Sequence, residues 1–224
     1  MHQRKSKKIL LYFFLLIILG TFNNNFLDQI EFPKLKNIEV LGLNEDANKK
    51  IAEDLFFLKL QNLFFLDSSQ IKKIINTNTS VETYSVFKVF PSTILIKIEE
   101  TKILANFYKN GSNYFFGSNG KLIKTKTKKN DKPFLFGDFT NEDFLKFKKI
   151  IDESKLKYSD IKKIYFFDSK RWDIELSDGL LIKLPGKKLL ESLNLSTELM
   201  LNDNFKNIKI IDTRVNNQVI LNGK

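Results

Sequence analysis

The sequence contains no cysteine, only three arginines and a single histidine, His2. Without Cys there is no disulfide framework, no thiol nucleophile and no Cys-ligated zinc or iron–sulfur cluster. With its one His at the second position, the body of the chain has no Ser-His-Asp triad, no HExxH zinc helix and no His general base. A Cys-free chain is compatible with an oxidising compartment but does not require one.

The 224 residues are 42% hydrophobic and include 22 Phe, enough for real cores in one or two domains. The net charge is +11, of which Arg4, Lys5, Lys7 and Lys8 supply four, leaving +7 for the rest. Of the 37 basic residues 34 are Lys, and Lys, Asn, Ile and Phe are abundant together, as an AT-rich coding sequence would give. A nucleic-acid binder is expected to gather its cations on one stripe and to favour the planar Arg fork. Here Lys is scattered, except in 124–132, where Lys124, Lys126, Lys128, Lys129 and Lys132 fall close together. That run reads as a solvated loop, and the basic balance is weak evidence for any partner.

Residues 1–8 form a basic tail without an acid, and Ile9–Phe22 follows as an uninterrupted apolar run of 14 residues. As a helix at about 1.5 Å per residue it covers about 21 Å of a hydrocarbon core of roughly 30 Å. Extension to Leu27 gives sufficient length, with Asn23, Asn24 and Asn25 at the far interface. The run is also short enough for a cleavable signal peptide, but no small-x-small site follows it. The expectation is a membrane-spanning signal anchor over 9–27, basic end inside, with the remainder of the chain outside the cytoplasm.

The exported part opens with LKNIEVL (35–41), alternating in strand period and ending at Gly42. Asn44 is placed to cap a helix over Glu45–Leu58, and a short helix over Ser68–Ile75 turns Ile71, Ile74 and Ile75 inward. Val81–Val89 and Thr93–Ile98 read as strands joined at Phe90-Pro91-Ser92. This is a small β-α-α-β-β unit. From Leu104 the pattern changes to short strands at 104–108, 114–116, 121–124, 134–136, 161–167, 172–176, 180–184, 208–212 and 218–221. Helices are expected at Asn141–Asp152, capped by Asn141, and at Lys187–Met200. Ser177-Asp178-Gly179 is a hairpin signal. The expected fold is therefore α+β: a transmembrane helix, a small β-α-α-β-β domain, then a mostly antiparallel β-domain with two helices, whose terminal strand is a candidate edge.

Catalytic motifs are weak. Ser69, Ser85, Ser118, Ser154 and Ser159 each have Lys three residues on, but 14 Ser and 34 Lys give about two such pairs by chance, and no KTG or SDN accompanies them. Gly117-Ser118-Asn119-Gly120-Lys121 lacks the frame of a phosphate-binding loop. A glycosidase needs only two carboxylates, and no pair stands out. No cofactor or metal site is expected.

Three stretches carry a resemblance: Ile38-Glu39-Val40-Leu41-Gly42, Asn62-Leu63-Phe64-Phe65-Leu66-Asp67, and Val86-Phe87-Lys88-Val89-Phe90-Pro91-Ser92-Thr93-Ile94. They resemble the POTRA domain of the FtsQ/DivIB family of bacterial cell-division proteins. POTRA modules also occur in outer-membrane assembly and secretion proteins. The second half distinguishes them: Lys170-Arg171-Trp172-Asp173-Ile174-Glu175-Leu176, Asp178-Gly179, Ile182-Lys183-Leu184-Pro185 and Ile211-Asp212-Thr213-Arg214-Val215 resemble the FtsQ β-domain. Gly117 stands where an Asp is common in the family. The resemblance implies a basic tail at 1–8, an anchor at 9–27, a POTRA domain at 33–101 and an FtsQ-type β-domain at 102–224.

It further implies a non-enzymatic divisome scaffold, single-pass in the inner membrane, with its C-terminal domains in the periplasm at the septum. Its implied partners are FtsB and FtsL, bound through the β-domain, and other divisome proteins such as FtsK, FtsW and FtsN. An exposed terminal strand offers unpaired N–H and C=O groups to an extended partner segment. The expected partner-binding residues are Lys170, Arg171, Trp172, Arg214, Val215, Asn216, Gln218, Val219 and Ile220. The cations are candidates to pair acidic residues of the partner and the valines to give apolar contact. Trp172 reads more readily as a core anchor of the strand pair, and Arg171 and Arg214 are equally open to pairing with Asp173 or Asp212. Two other readings are a POTRA-bearing translocation component, disfavoured because no barrel-strand series follows, and an anchored polyanion binder using 124–132.

Overall fold

The computed structural model of the chain describes residues 3–21, 33–129, 131–205, 207–215 and 218–223. Helix α1 (Gln3–Thr21) starts within the basic tail and runs through the apolar segment. Among the described residues no helix is long and apolar enough to cross a membrane. The spanning helix expected over 9–27 is thus not seen, because only about two-thirds of the needed apolar length falls within α1. Residues 22–27 lie outside the described residues.

The chain divides into two compact units, Met1–Lys72 with Ser85–Lys97, and Lys73–Tyr84 with Ile98–Lys224. From residue 37 the elements are β1 (Asn37–Leu41), α2 (Glu45–Asp54), α3 (Ser68–Thr77), β2 (Val81–Val89) and β3 (Thr93–Glu100). This is the expected β-α-α-β-β order. The strands form one sheet in the order β1-β3-β2, with β1 parallel to β3 from Asn37↔Thr93 to Leu41↔Lys97. Asn44 caps α2, its side chain accepting from the Ala47 N–H at 2.8 Å. The helix stops at Asp54 rather than Leu58 and tightens into a 3-10 turn over Phe56–Leu60. In that turn residues three apart share a face, which brings Leu55 and Leu58 together as fully buried side chains.

The second unit carries a nine-stranded sheet in the order β12-β11-β10-β9-β8-β7-β4-β5-β6. Its strands are β4 (Ile103–Lys109), β5 (Ser112–Gly117), β6 (Leu122–Thr125), β7 (Phe134–Phe136), β8 (Ile161–Phe167), β9 (Arg171–Leu176), β10 (Leu181–Lys183), β11 (Ile208–Asp212) and β12 (Ile220–Gly223). Five of its pairings are antiparallel; β4–β7, β7–β8 and β10–β11 are parallel. The crossovers contain α4 (Asn141–Glu153), between β7 and β8, and α5 (Leu189–Leu201), between β10 and β11. Phe144, Phe147 and Ile151 of α4 and Leu193 of α5 join the core with Ile164, Trp172, Ile174, Ile182 and Ile211 of the sheet. The cap of α4 is Thr140, which forms a reciprocal capping box with Asp143; Asn141, expected as the cap, instead donates to the Gly120 carbonyl at 2.6 Å.

Three polar side chains fix the loops of this unit. Asn106, 3% exposed, donates to the carbonyls of Lys129 (2.7 Å) and Lys132 (2.8 Å) and accepts from the Lys129 N–H (2.8 Å). The Lys124–Lys132 run is therefore pinned through its backbone. Asn119 donates to the carbonyls of Thr79 and Val81, and Ser118 donates to Glu82 at 2.8 Å. Beside them Gly117 has no room for a side chain: a Cβ there would lie 2.7 Å from Asn119 Oδ1 and 2.8 Å from Thr101 Oγ1.

Candidate partner-binding site

Strand β12 occupies one end of the nine-stranded sheet and pairs only with β11, from Asp212↔Ile220 to Ile208↔Gly223. Its other side carries a row of backbone groups without a neighbouring strand among the described residues. Next to it lies a cleft of about 280 Å³, bounded by the start of α5 on one side and by the segment leading into β12 on the other. Val215, Val219 and Leu195 give the cleft its apolar part, and Lys187, Lys188 and Glu191 give it charge. An extended segment seated there meets main-chain donors and acceptors on the edge and side-chain contacts in the cleft.

The expected site residues separate into three groups. Val215, Gln218, Val219 and Ile220 gather at this edge. Val215 and Ile220 are exposed, while Val219 is half-buried and packed against the core. Gln218 and Val219 precede the strand rather than belonging to it, because the Gln218 N–H bonds the Val215 carbonyl at 3.2 Å and closes a turn. Asn216 lies outside the described residues.

Arg214 and Arg171 both meet carboxylates of their own chain. Arg214 makes a two-pronged pair with Asp212, Nε to Oδ1 at 2.8 Å and Nη2 to Oδ2 at 2.5 Å. That pair holds the Asp212 carboxyl below its usual range and raises the guanidinium. Arg171 stands over the Phe167 ring at 4.4 Å, with Nε 3.6 Å from Asp173 Oδ1. Burial pushes the Asp173 carboxyl up, against the opposing pull of Arg171. Lys170 turns the β8–β9 hairpin at φ +59° and lies over Phe166. None of these three cations is aimed into the β12 cleft.

Trp172 is a core residue and leaves the candidate site. It is 4% exposed, stacks on Phe147 at 4.6 Å and 3°, and touches Phe166 at 4.5 Å. Its alternation along β9 with Arg171 and Asp173 puts it on the face that α4 covers.

Sequence reasoning missed α5 as a wall of the site. A signal was present, since LLESLNLSTELML has leucines all round, more than one buried face can use. Leu190, Leu195 and Leu201 remain exposed. Among the described residues no group of three or more His, Cys, Asp or Glu is placed to hold a metal ion.

The sequence model of the FtsQ-type POTRA domain matches residues 34–101, and that of the C-terminal domain of cell division protein FtsQ/DivIB matches residues 106–214. The chain is 26% identical over 193 residues to cell division protein FtsQ of Rickettsia bellii, covering 80% of this chain and 69% of that protein. It is 21% identical over 164 residues to cell division protein FtsQ of Bradyrhizobium diazoefficiens, 71% of this chain and 48% of that one. The extracytoplasmic domain of DivIB from Geobacillus stearothermophilus is a looser likeness. Its TM-score is 0.34 at 18% identity, covering 42% of this chain and 87% of that one, too loose to position any residue. With both of its domains matched by the family's own, the chain belongs to the FtsQ/DivIB family of cell-division proteins.

Proposed function

We propose that this protein is a non-enzymatic scaffold of the bacterial divisome that binds FtsB and FtsL through the β12 edge. The open edge lying beside the Val215–Val219–Leu195 cleft carries the reading, because strand addition needs both a backbone row and side-chain pockets. In this reading the N-terminal apolar run holds the chain in the inner membrane as a single-pass protein. Its larger part stands in the periplasm at the septum, where it links early and late division proteins, FtsK, FtsW and FtsN among them. The basic start followed by exposed apolar residues along α1 supports that orientation. The polyanion reading draws less support, because Lys132 pairs with Asp131 at 3.0 Å and Lys128 lies 5.1 Å from the Phe134 ring centroid.

Photo-crosslinking in living cells tests the proposal, with the reactive side chain at Gln218 and, as control, at Lys128. The expected result is an adduct to FtsB or FtsL from Gln218 alone, abolished by Val215→Glu, which places a charge beside the edge. Adducts to nucleic acid or wall polymer from Lys128, with none from Gln218, would overturn it.

A further inference from the structure

We propose that the aromatic segment around Phe56–Phe65 is a membrane-contact surface lying in the headgroup region of the bilayer that anchors the chain. The inference rests on the anchored reading above. The stretch Leu55–Leu66 (LFFLKLQNLFFL) satisfies its core with four leucines: Leu55, Leu58 and Leu63 are fully buried and Leu66 is 6% exposed. Its remaining large apolar side chains face outward. Leu60 is 81% and Phe65 77% exposed, with Phe56 and Phe57 beside them on the 3-10 turn. Phe90, from the β2–β3 connection, extends the patch, its ring centroid 5.0 Å from that of Phe64. These side chains keep much of their apolar surface exposed, and exposed apolar side chains gathered in one short stretch mark an interaction surface.

Composition and tether both identify the occupant as a lipid surface. The twelve residues contain no acid, and their one charge is Lys59, whose ammonium lies 4.9 Å from the Phe56 ring centroid. Lys88 adds a second cation, bonding the Phe64 carbonyl at 3.4 Å. Asp54 and Asp67 stand at the two ends of the stretch, while Phe and Leu with Lys59 and Lys88 among them suit the boundary between acyl chains and headgroups. Eleven residues separate Thr21, the end of α1, from Pro33, and eleven residues reach at most about 36–40 Å. The chain re-enters the folded unit against the patch itself: Lys34 bridges to Asn62, and the Leu35 N–H bonds the Gln61 carbonyl at 3.1 Å. A bilayer holding α1 therefore lies within one short tether of these rings.

Because the chain has no cysteine, a single introduced one is a unique label site. The full-length Leu60→Cys and Phe65→Cys proteins, labelled with an environment-sensitive fluorophore, are reconstituted into vesicles of phosphatidylethanolamine and phosphatidylglycerol with or without brominated acyl chains. Leu16→Cys in α1 and Asp178→Cys in the β9–β10 hairpin are the controls. Blue-shifted emission at 60 and 65 with loss of intensity on bromination, shared by 16 and absent at 178, is expected. If 16 is quenched while 60 and 65 behave like 178, the contact surface is wrong and the anchor stands. A blue shift at 60 and 65 without quenching means that protein covers the patch, which also overturns the proposal. If 16 itself is unquenched, the anchored reading fails and takes this one with it.

Discussion

Asp173 and Asp212 lie on the same face of the sheet, each buried and opposite Lys183 in register, and are driven in opposite directions. Hydrogen bonds from the Arg214 side chain and backbone hold Asp212 low, whereas burial raises Asp173. A lowered carboxyl contributes stability that is full above its ordinary pKa and is lost as pH falls through the lowered one. A raised carboxyl does the reverse: its contribution is present below the ordinary value and is lost as pH rises through the raised one. Thermal melts between about pH 3 and pH 7 are therefore expected to show Asp212→Asn flattening the acid-side loss of stability. Asp173→Asn should instead remove a decline that sets in as pH rises above the ordinary carboxylate range. Unchanged pH profiles for both would reject this account. At this scale the sequence disclosed identities better than roles. Arg171 and Arg214 stood out in a Lys-rich chain, but which carboxylate each meets depends on register across the sheet. Gly117 was visible as a departure from the family. Its reason, the crowding of Thr101 and Asn119, exists only in three dimensions.

Elements were more legible than residues because their periodicity is local. The strands of the second unit fall within a few residues of where alternation put them, and α4 follows its apolar spacing closely. Two features were hidden. The early end of α2 falls where the chain tightens into the 3-10 turn with Leu55 and Leu58 buried, and the parallel pairings of β7 and β10 join segments far apart in sequence. The pinned run 124–132 is a third case, since the Lys pattern suggested a loop and gave no hint that Asn106 holds it. Asn106→Ala removes three hydrogen bonds from a buried site and is expected to cost about 1–3 kcal/mol. It should also release the run, so that trypsin cuts within 124–132 faster in the variant than in the parent. Equal cleavage rates would mean that the loop is held by something else.

Considered as a whole, the nine-stranded sheet has two dissimilar ends. At β12 the exposed residues include Ile220, with Val215 just before the strand; at β6 the edge carries Lys124 and runs directly into Lys126 and Lys128. Charged Lys on an edge strand discourages another strand from joining there. The full-length protein in detergent is accordingly expected to sediment as a single copy. Lys124→Val with Lys126→Val should give concentration-dependent association, and persistence as a single copy would remove the role assigned to these lysines. The consequence is one of valence. A sheet open at both ends can be threaded into a filament, each copy extending the next, whereas a sheet blunted at β6 can be extended only from the β12 side. With β6 closed to pairing, copies of the chain cannot join β12 to β6, and the β12 edge is left to a partner strand of another kind.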